Sequence, residues 1–299
     1  MKEKFEFQNV VAETLLIPLY MRAKESKRKS QDIIISDPLA ESLVNNIDYD
    51  YSKFDNAWMS ALGCVIRGRL FDQKVQEFIL KEEHPIAVNI GCGLDTRYQR
   101  IKERKNCIFY EIDLPEVIAI RKHFIPEPKN DFYIEGSILE NNWMDKLKEK
   151  HPDSHFIFTM EGVMMYFYEK QVIDILKNLA NRFPGGEIYF DVCGPMMVKT
   201  KLKPDSLRKN EAQIRSGISN GKIVEKWVPQ LEITGQWLYQ NYAKKRWGVS
   251  GYIFRMFPKF TCKFSSILGY KSTGLRRERR QNNEKENRNC PAFRNRRRT

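Results

Sequence analysis

A chain of 299 residues, 41% hydrophobic and 30% charged, can bury a sizeable core and is expected to form one large domain or two small ones. Its formal charge of +13 invites a nucleic-acid reading, but Lys271 to Thr299 hold eleven Lys and Arg against three Glu, so the first 270 residues carry only +5 and need no polyanionic partner. The six cysteines (Cys64, Cys92, Cys107, Cys193, Cys262, Cys290) form no CxxC pair, which indicates neither a zinc site nor a disulfide framework.

The opening MKEKFEFQN is charged and lacks an apolar core segment, so no signal peptide is expected. No apolar run reaches the ~18 residues of a membrane span, so the expected location is cytoplasmic, with no membrane partner. Val10 to Arg28 places Val11, Leu15, Leu16 and Leu19 at helical spacing, with basic residues gathered at the end favoured by the helix dipole. Pro18 is expected to break or kink that helix. Asp37-Pro38-Leu39-Ala40 opens a second helix, with Asp37 as N-cap and Pro38 as first helical residue. Gly63 to Leu80 carries a helical apolar stripe of Val65, Ile66, Leu70, Phe71, Val75, Phe78 and Ile79. Arg67 and Arg69 lie two apart and point to different faces, reading as two solvated arginines, with Asp72 able to pair with one of them. Residues 1–80 thus form a helical cap.

Ile86-Ala87-Val88-Asn89-Ile90 is an apolar run ending in Gly91-Cys92-Gly93, the pattern of a buried parallel strand entering a tight turn. About twenty residues on, Cys107 to Tyr110 ends in Glu111-Ile112-Asp113. A glycine turn after one strand and an acid after the next form the nucleotide half of a Rossmann-like sheet, the acid accepting both ribose hydroxyls. The turn continues as Leu94-Asp95-Thr96-Arg97, without the third glycine that packs a helix under a pyrophosphate, which argues against NAD and FAD. A ligand with a ribose, an adenine and an amino-acid end but no phosphate needs only the glycines and the acid. S-adenosylmethionine (SAM) is that ligand. Asp95 or Arg97 can cap the next helix. Asp113 has a rival role as N-cap before Leu114-Pro115-Glu116. Glu111, two residues earlier, shares its strand face, so both acids can point at the ligand.

Val117 to Lys122 completes a helix. Phe132 to Ile134 is a short strand ending in Glu135-Gly136-Ser137-Ile138, where the backbone N–H of Ile138 can meet an adenine. Trp143 reads as core. His155 to Met160 is a buried strand that runs into Glu161, placing that acid in the crevice with Gly91 and Asp113, or leaving it a helix cap or structural carboxylate. Tyr166 can line the site or simply pack. A helix over 169–182 and a fifth strand over 187–193 follow. Gly194 to Gly248 exceeds a normal crossover and turns from basic to aromatic, so 195–248 is expected to be an inserted lid. Gly251 to Tyr270 is expected to complete the sheet. Lys271 to Thr299 reads as a disordered tail; with Phe293 as its one aromatic, it is a weak nucleic-acid arm.

NIGCGLDTRYQRI followed by YEIDLPEVIAIRK, at this spacing, resembles the leucine carboxyl methyltransferase superfamily, which includes bacterial polyketide-type O-methyltransferases. DPLA at 37–40 and EGVMMY at 161–166 agree with the family pattern, and the resemblance covers roughly Val10 to Phe264. It implies an α/β, Rossmann-like class I SAM methyltransferase sheet over residues 1–270, with the helical cap and the lid. It implies Arg67 on the methionine carboxylate, Gly91, Cys92, Gly93 and Asp95 along the methionine part, and Asp113 on the ribose. Ser137 and Ile138 fall at the adenine, although many SAM enzymes carry an acid where Ser137 stands. Glu161 completes the cofactor set. Relatives finish with strands where the tail begins, so a reading-frame accident is a second reading of the tail. The implied reaction is methyl transfer to an oxygen of a small-molecule acceptor, driven by alignment. The four histidines are dispersed and no metal is expected. A carboxylate acceptor needs no general base, a hydroxyl does, and no catalytic residue stands out. Two other readings compete: methylation of a protein C-terminal carboxyl, and a non-catalytic SAM- or RNA-binding protein of the same fold.

Overall fold

The computed structural model describes residues 13–200, 203–208 and 211–273; the expected tail from residue 274 onward lies outside them. Among the described residues, the sheet is preceded by the helices α1 (Leu16–Ser26), α2 (Pro38–Asn46) and α3 (Trp58–Lys81). Pro18 does not break α1, because it falls in the first turn, where its missing N–H has no intrahelical acceptor to lose. Arg22 is not a surface cation at a helix end but is buried and paired with Asp37. Asp37 caps α2, accepting from the Ala40 N–H at 3.0 Å, with Pro38 in the first helical position. In α3 the apolar stripe is buried, and Arg69 alone of its two arginines faces solvent.

The alternating part follows: β1 (Pro85–Ile90), a single turn α4 (Arg97–Arg100), β2 (Ile108–Asp113), α5 (Pro115–Phe124), β3 (Asp131–Glu135), α6 (Asn142–Lys150), β4 (His155–Met160), α7 (Glu169–Arg182) and β5 (Glu187–Cys193). The chain then forms α8 (Pro195–Lys199), α9 (Lys222–Trp227), β6 (Leu231–Trp237), α10 (Gly248–Met256), α11 (Pro258–Thr261) and β7 (Ser265–Ser272). The seven strands are ordered β3-β2-β1-β4-β5-β7-β6, with β1 to β5 parallel and β7 antiparallel to both of its neighbours. This is an α/β, Rossmann-like sheet with helices on both faces, as the resemblance implies.

Strand alternation divides the apolar residues between two layers. Ala87, Phe109 and Ile157 face the cluster built with α1, α2 and α3. Ile86, Val88, Ile90, Phe156 and Phe158 face the cluster built with α6 and α7. Trp143 is in that second core, and its indole N–H holds the Ser137 carbonyl at 3.0 Å.

Two expectations fail after β5. Residues 195–248 are not all insertion, since 231–237 form the edge strand β6 of the main sheet. Residues 251–264 are not strand but mostly the helices α10 and α11; strand begins only at Ser265. Strand β7 also runs two residues past 270. Ser272 there is buried and donates to the Ala180 carbonyl at 2.9 Å, so this part of the body extends to Ser272.

Candidate functional site

The carboxyl ends of five parallel strands meet in one place. Gly91 follows β1, Asp113 ends β2, Gly136 follows β3, Glu161 follows β4 and Cys193 ends β5, and all five line a cavity of about 640 Å³. The cavity sits beside the β1/β4 junction, where the strand order reverses, the usual ligand crevice of such sheets. Leu15 and Pro18 close it from the N-terminal side, Arg67 from α3, and Leu207, Tyr239 and Trp247 from the segments after β5.

The turn after β1 needs its glycines. Gly91 has φ +68° and Gly93 φ +49°, and a Cβ on Gly91 would lie 2.4 Å from Val163 Cγ2. The Gly91 and Cys92 N–H groups donate to the Ile112 carbonyl of β2. Asp113 Oδ2 accepts the Gly93 N–H at 2.8 Å and its Oδ1 accepts the Leu114 N–H at 2.8 Å. Asp113 therefore ties two strand ends together at the cavity wall and does not cap α5, whose first amides, Val117 and Ile118, bond to the Leu114 carbonyl. Burial pushes the Asp113 carboxyl up, against the pull of those two amides.

Glu111 is no ligand candidate. Two residues back along β2 is about 7 Å deeper, and Glu111 is fully buried there, accepting from Asn89 Nδ2 at 2.8 Å. It stands 3.5 Å from Arg121, a residue of α5 that donates to the Gly93 and Asp95 carbonyls at 3.1 and 2.6 Å and so fastens the glycine turn. Asp131 approaches the same nitrogen, Arg121 Nη2, at 4.0 Å. Burial and the neighbouring Glu111 push the Asp131 carboxyl up to about 8, Arg121 notwithstanding, and Glu111 is raised as well. An acid raised on folding makes the native state bind more protons than the unfolded chain. Stability from Asp131 is therefore fullest below its unfolded value of ~3.9 and falls as pH rises through about 8, with a slope of at most ~1.4 kcal/mol per pH unit. Asp131→Asn should flatten that fall. Urea midpoints at pH 5 and pH 8 check it; an Asn variant with the parent's full loss between the two would place the proton elsewhere.

Around the floor of the cavity run four arginines and five carboxylates, Arg22, Arg67, Arg97 and Arg100 with Asp37, Asp72, Asp95, Glu161 and Asp191. Each carboxylate side chain is at most 9% exposed. Asp37 pairs with Arg22 and Arg100 and also accepts from the Thr96 hydroxyl at 2.5 Å. Asp72 pairs with Arg97 at 3.0 Å and Arg100 at 2.7 Å rather than with Arg67 or Arg69. Asp95 is engaged by Arg97 at 3.0 Å and Arg100 at 2.8 Å and caps nothing; the N-cap of α4 is Thr96. Burial alone would raise Asp37 and Asp95, but their arginine neighbours hold both below the usual carboxylate range. Glu161 has both oxygens committed, Oε1 to Arg67 Nε at 3.1 Å and Oε2 to Arg97 Nη2 at 2.7 Å. Arg67 is thus not solvated. Its Nη1 donates to Asp191 at 2.8 Å, and among the described residues Nη2 makes a long contact with Cys64 Sγ at 4.0 Å. Asp191 also accepts the Gly162 N–H at 2.6 Å.

The remaining expected residues divide. Cys92 and Ile138 are buried in the wall. Ser137 also lines it, but its hydroxyl accepts the Leu139 N–H in a local turn. Burial pushes the Tyr166 hydroxyl up to about 12. Arg22, Arg121 and Asp191 escaped the sequence reading. Asp191 had a signal: an acid inside the otherwise apolar run Ile188 to Val192 is costly unless paired. Among the described residues no group of His, Cys, Asp and Glu is placed to hold a metal, and no helix is long and apolar enough to cross a membrane.

Comparison with known proteins adds four findings. The sequence model of the leucine carboxyl methyltransferase family matches residues 16–180. The chain is 27% identical over 227 residues to the tetracenomycin polyketide synthesis O-methyltransferase TcmP of Streptomyces glaucescens, a match covering 76% of this chain and 82% of that one. It is 25% identical over 225 residues, covering 69% of each, to a protein of Mycobacterium sp. (strain KMS) assigned as a SAM-dependent methyltransferase. Among solved structures, a protein of Thermobifida fusca YX assigned as a methyltransferase superposes with a TM-score of 0.53 at 11% identity, covering 84% of this chain and 94% of that one, which speaks to the fold.

Proposed function

The chain belongs to the leucine carboxyl methyltransferase family and is a SAM-dependent methyltransferase, and from that premise we propose that it methylates an oxygen of a small apolar molecule. SAM when bound supplies an activated methyl on a cationic sulfonium. The residues present fit it. The two positive-φ glycines keep the turn free of side chains, and Asp113 adds a carboxylate at the cavity wall for a ribose diol. In this reading Gly91, Cys92 and Gly93 follow the amino-acid end, Ile138 and Leu114 flank the adenine, and Arg67 offers Nη2 to the carboxylate. Asp95 and Glu161 act indirectly, by fixing Arg97, Arg100 and Arg67.

The observation that carries the proposal is the continuity of the cavity. From the strand ends it extends past the apolar side chains Met59, Met165, Met197, Trp247, Phe254 and Phe264, with Lys203, Asp205, Arg208 and Arg215 also in its wall. Those apolar side chains exclude water and orient an apolar acceptor. Burial holds the Tyr166 hydroxyl up to about 12, so it lines the cavity in its protonated form near neutrality. The five described cysteines are free thiols, in keeping with a cytoplasmic location. The test incubates the full chain with methyl-labelled SAM and a small-molecule extract, then treats the products with mild base. The expected result is label in the small-molecule fraction, with release as methanol marking a carboxylate acceptor and retention marking a hydroxyl. Label confined to protein C-termini, or no transfer by a chain that binds SAM, overturns the reading.

A further inference from the structure

Helix α10 is apolar on two sides. Its inner side contributes Phe254 to the cavity wall, and Gly251 packs so closely under Trp247 that a Cβ there would lie 2.1 Å from it. The outer side is exposed among the described residues. Val249 is 79% exposed, Tyr252 60%, Ile253 52%, and Met256 and Phe257 both 57%, continued by Phe260 of α11. The spacing 249, 252, 253, 256 is that of one face of α10; Phe257 stands at the break between the two helices and Phe260 lies on α11. Trp58 and Met59, also exposed, extend this surface: Trp58 meets Trp247 edge-on at 6.3 Å, and Met59 lines the cavity. A row of large exposed apolar side chains beside a cavity mouth is an interaction surface rather than ordinary exposure.

Charge selects the occupant. No Asp or Glu occurs from 233 to 273, whereas seven Lys and Arg do, of which Arg246 is paired with Glu25; at the Trp58–Met59 margin Asp205 is an acid, already held by the Met59 and Ser60 N–H groups. Lys244, Lys245, Lys259 and Lys263 are exposed around the apolar row. A second copy docked on this face by a twofold axis would oppose two cationic surfaces. An anionic lipid surface meets both demands: apolar side chains enter the headgroup boundary while lysines pair with phosphates. We propose that the outer face of α10 and α11 seats the protein on anionic bilayers, with the cavity mouth toward the lipid.

Co-sedimentation of the full chain with phosphatidylcholine vesicles, with and without phosphatidylglycerol, tests this, read beside light scattering. The parent should bind the anionic vesicles and release them as salt rises. Ile253→Gln with Phe257→Gln, two side chains outside the cavity wall, should weaken that binding by about tenfold or more while keeping the parent's melting temperature and SAM affinity. Three results overturn the proposal: no vesicle binding by the parent; unchanged binding by the double variant, which assigns adhesion to other basic residues; or a parent dimer that the double variant makes monomeric, which assigns the face to a second copy.

Discussion

Arg97→Met is expected to destabilise the protein by about 3–5 kcal/mol, the usual consequence of taking one partner out of a buried ion network. Arg97 is 1% exposed and bonds Asp72 at 3.0 Å, Asp95 at 3.0 Å and Glu161 at 2.7 Å, with Thr159 at 3.2 Å. Methionine fills comparable space but returns no charge, so three carboxylates are left to Arg22, Arg67 and Arg100. For a domain of this size the loss corresponds to a fall in Tm of roughly 6–20 °C. Arg69→Met, on the exposed side of α3, is the control and should stay within ~0.5 kcal/mol of the parent. Urea unfolding of both variants measures the contrast. If Arg97→Met matches Arg69→Met, the network contributes no net stability and the fold rests on its apolar layers.

Asp113→Ala is expected to weaken SAM binding by about ten- to a hundredfold. Hydrogen bonds to a charged group contribute roughly 1.5–3 kcal/mol, and each 1.4 kcal/mol is tenfold. The carboxylate already holds the Gly93 and Leu114 amides at 2.8 Å each, so its remaining lone pairs are the ones offered to a ribose diol. Asp113→Asn keeps one acceptor for the turn yet loses the charge, and should lose most of the SAM-induced rise in Tm while melting near the parent when ligand-free. Because burial raises this carboxyl, the affinity it supplies is present above its raised value and fades as pH falls, sooner than for an ordinary Asp. Parent-like SAM binding by the Asn variant would reduce Asp113 to a clamp on the glycine turn, and Glu111, buried beneath it, could not take over the ribose.

Strands β1 to β5, the glycine turn and the position of Asp113 at the end of β2 were legible in the sequence because each is a local fact. A run such as Ile86 to Ile90 has no use but burial on both faces, and Gly91 and Gly93 stand where the chain adopts positive φ. Asp37-Pro38 named its helix start for the same reason. The ion network was not legible. Arg22, Asp72, Arg97, Glu161 and Asp191 come from separate elements, and in sequence a charge destined for burial reads like one destined for water. Only packing α1 and α3 against the ends of β4 and β5 withdraws these groups from solvent and obliges each to find an opposite charge. The same cause misplaced β6: its hydrogen-bonding partner, β7, lies beyond two helices, so 231–237 resembled an insertion until the later strand paired with it. Glu111 and Asp113 share one strand face, and depth alone separates a fully buried neighbour of Arg121 from the carboxylate at the cavity wall.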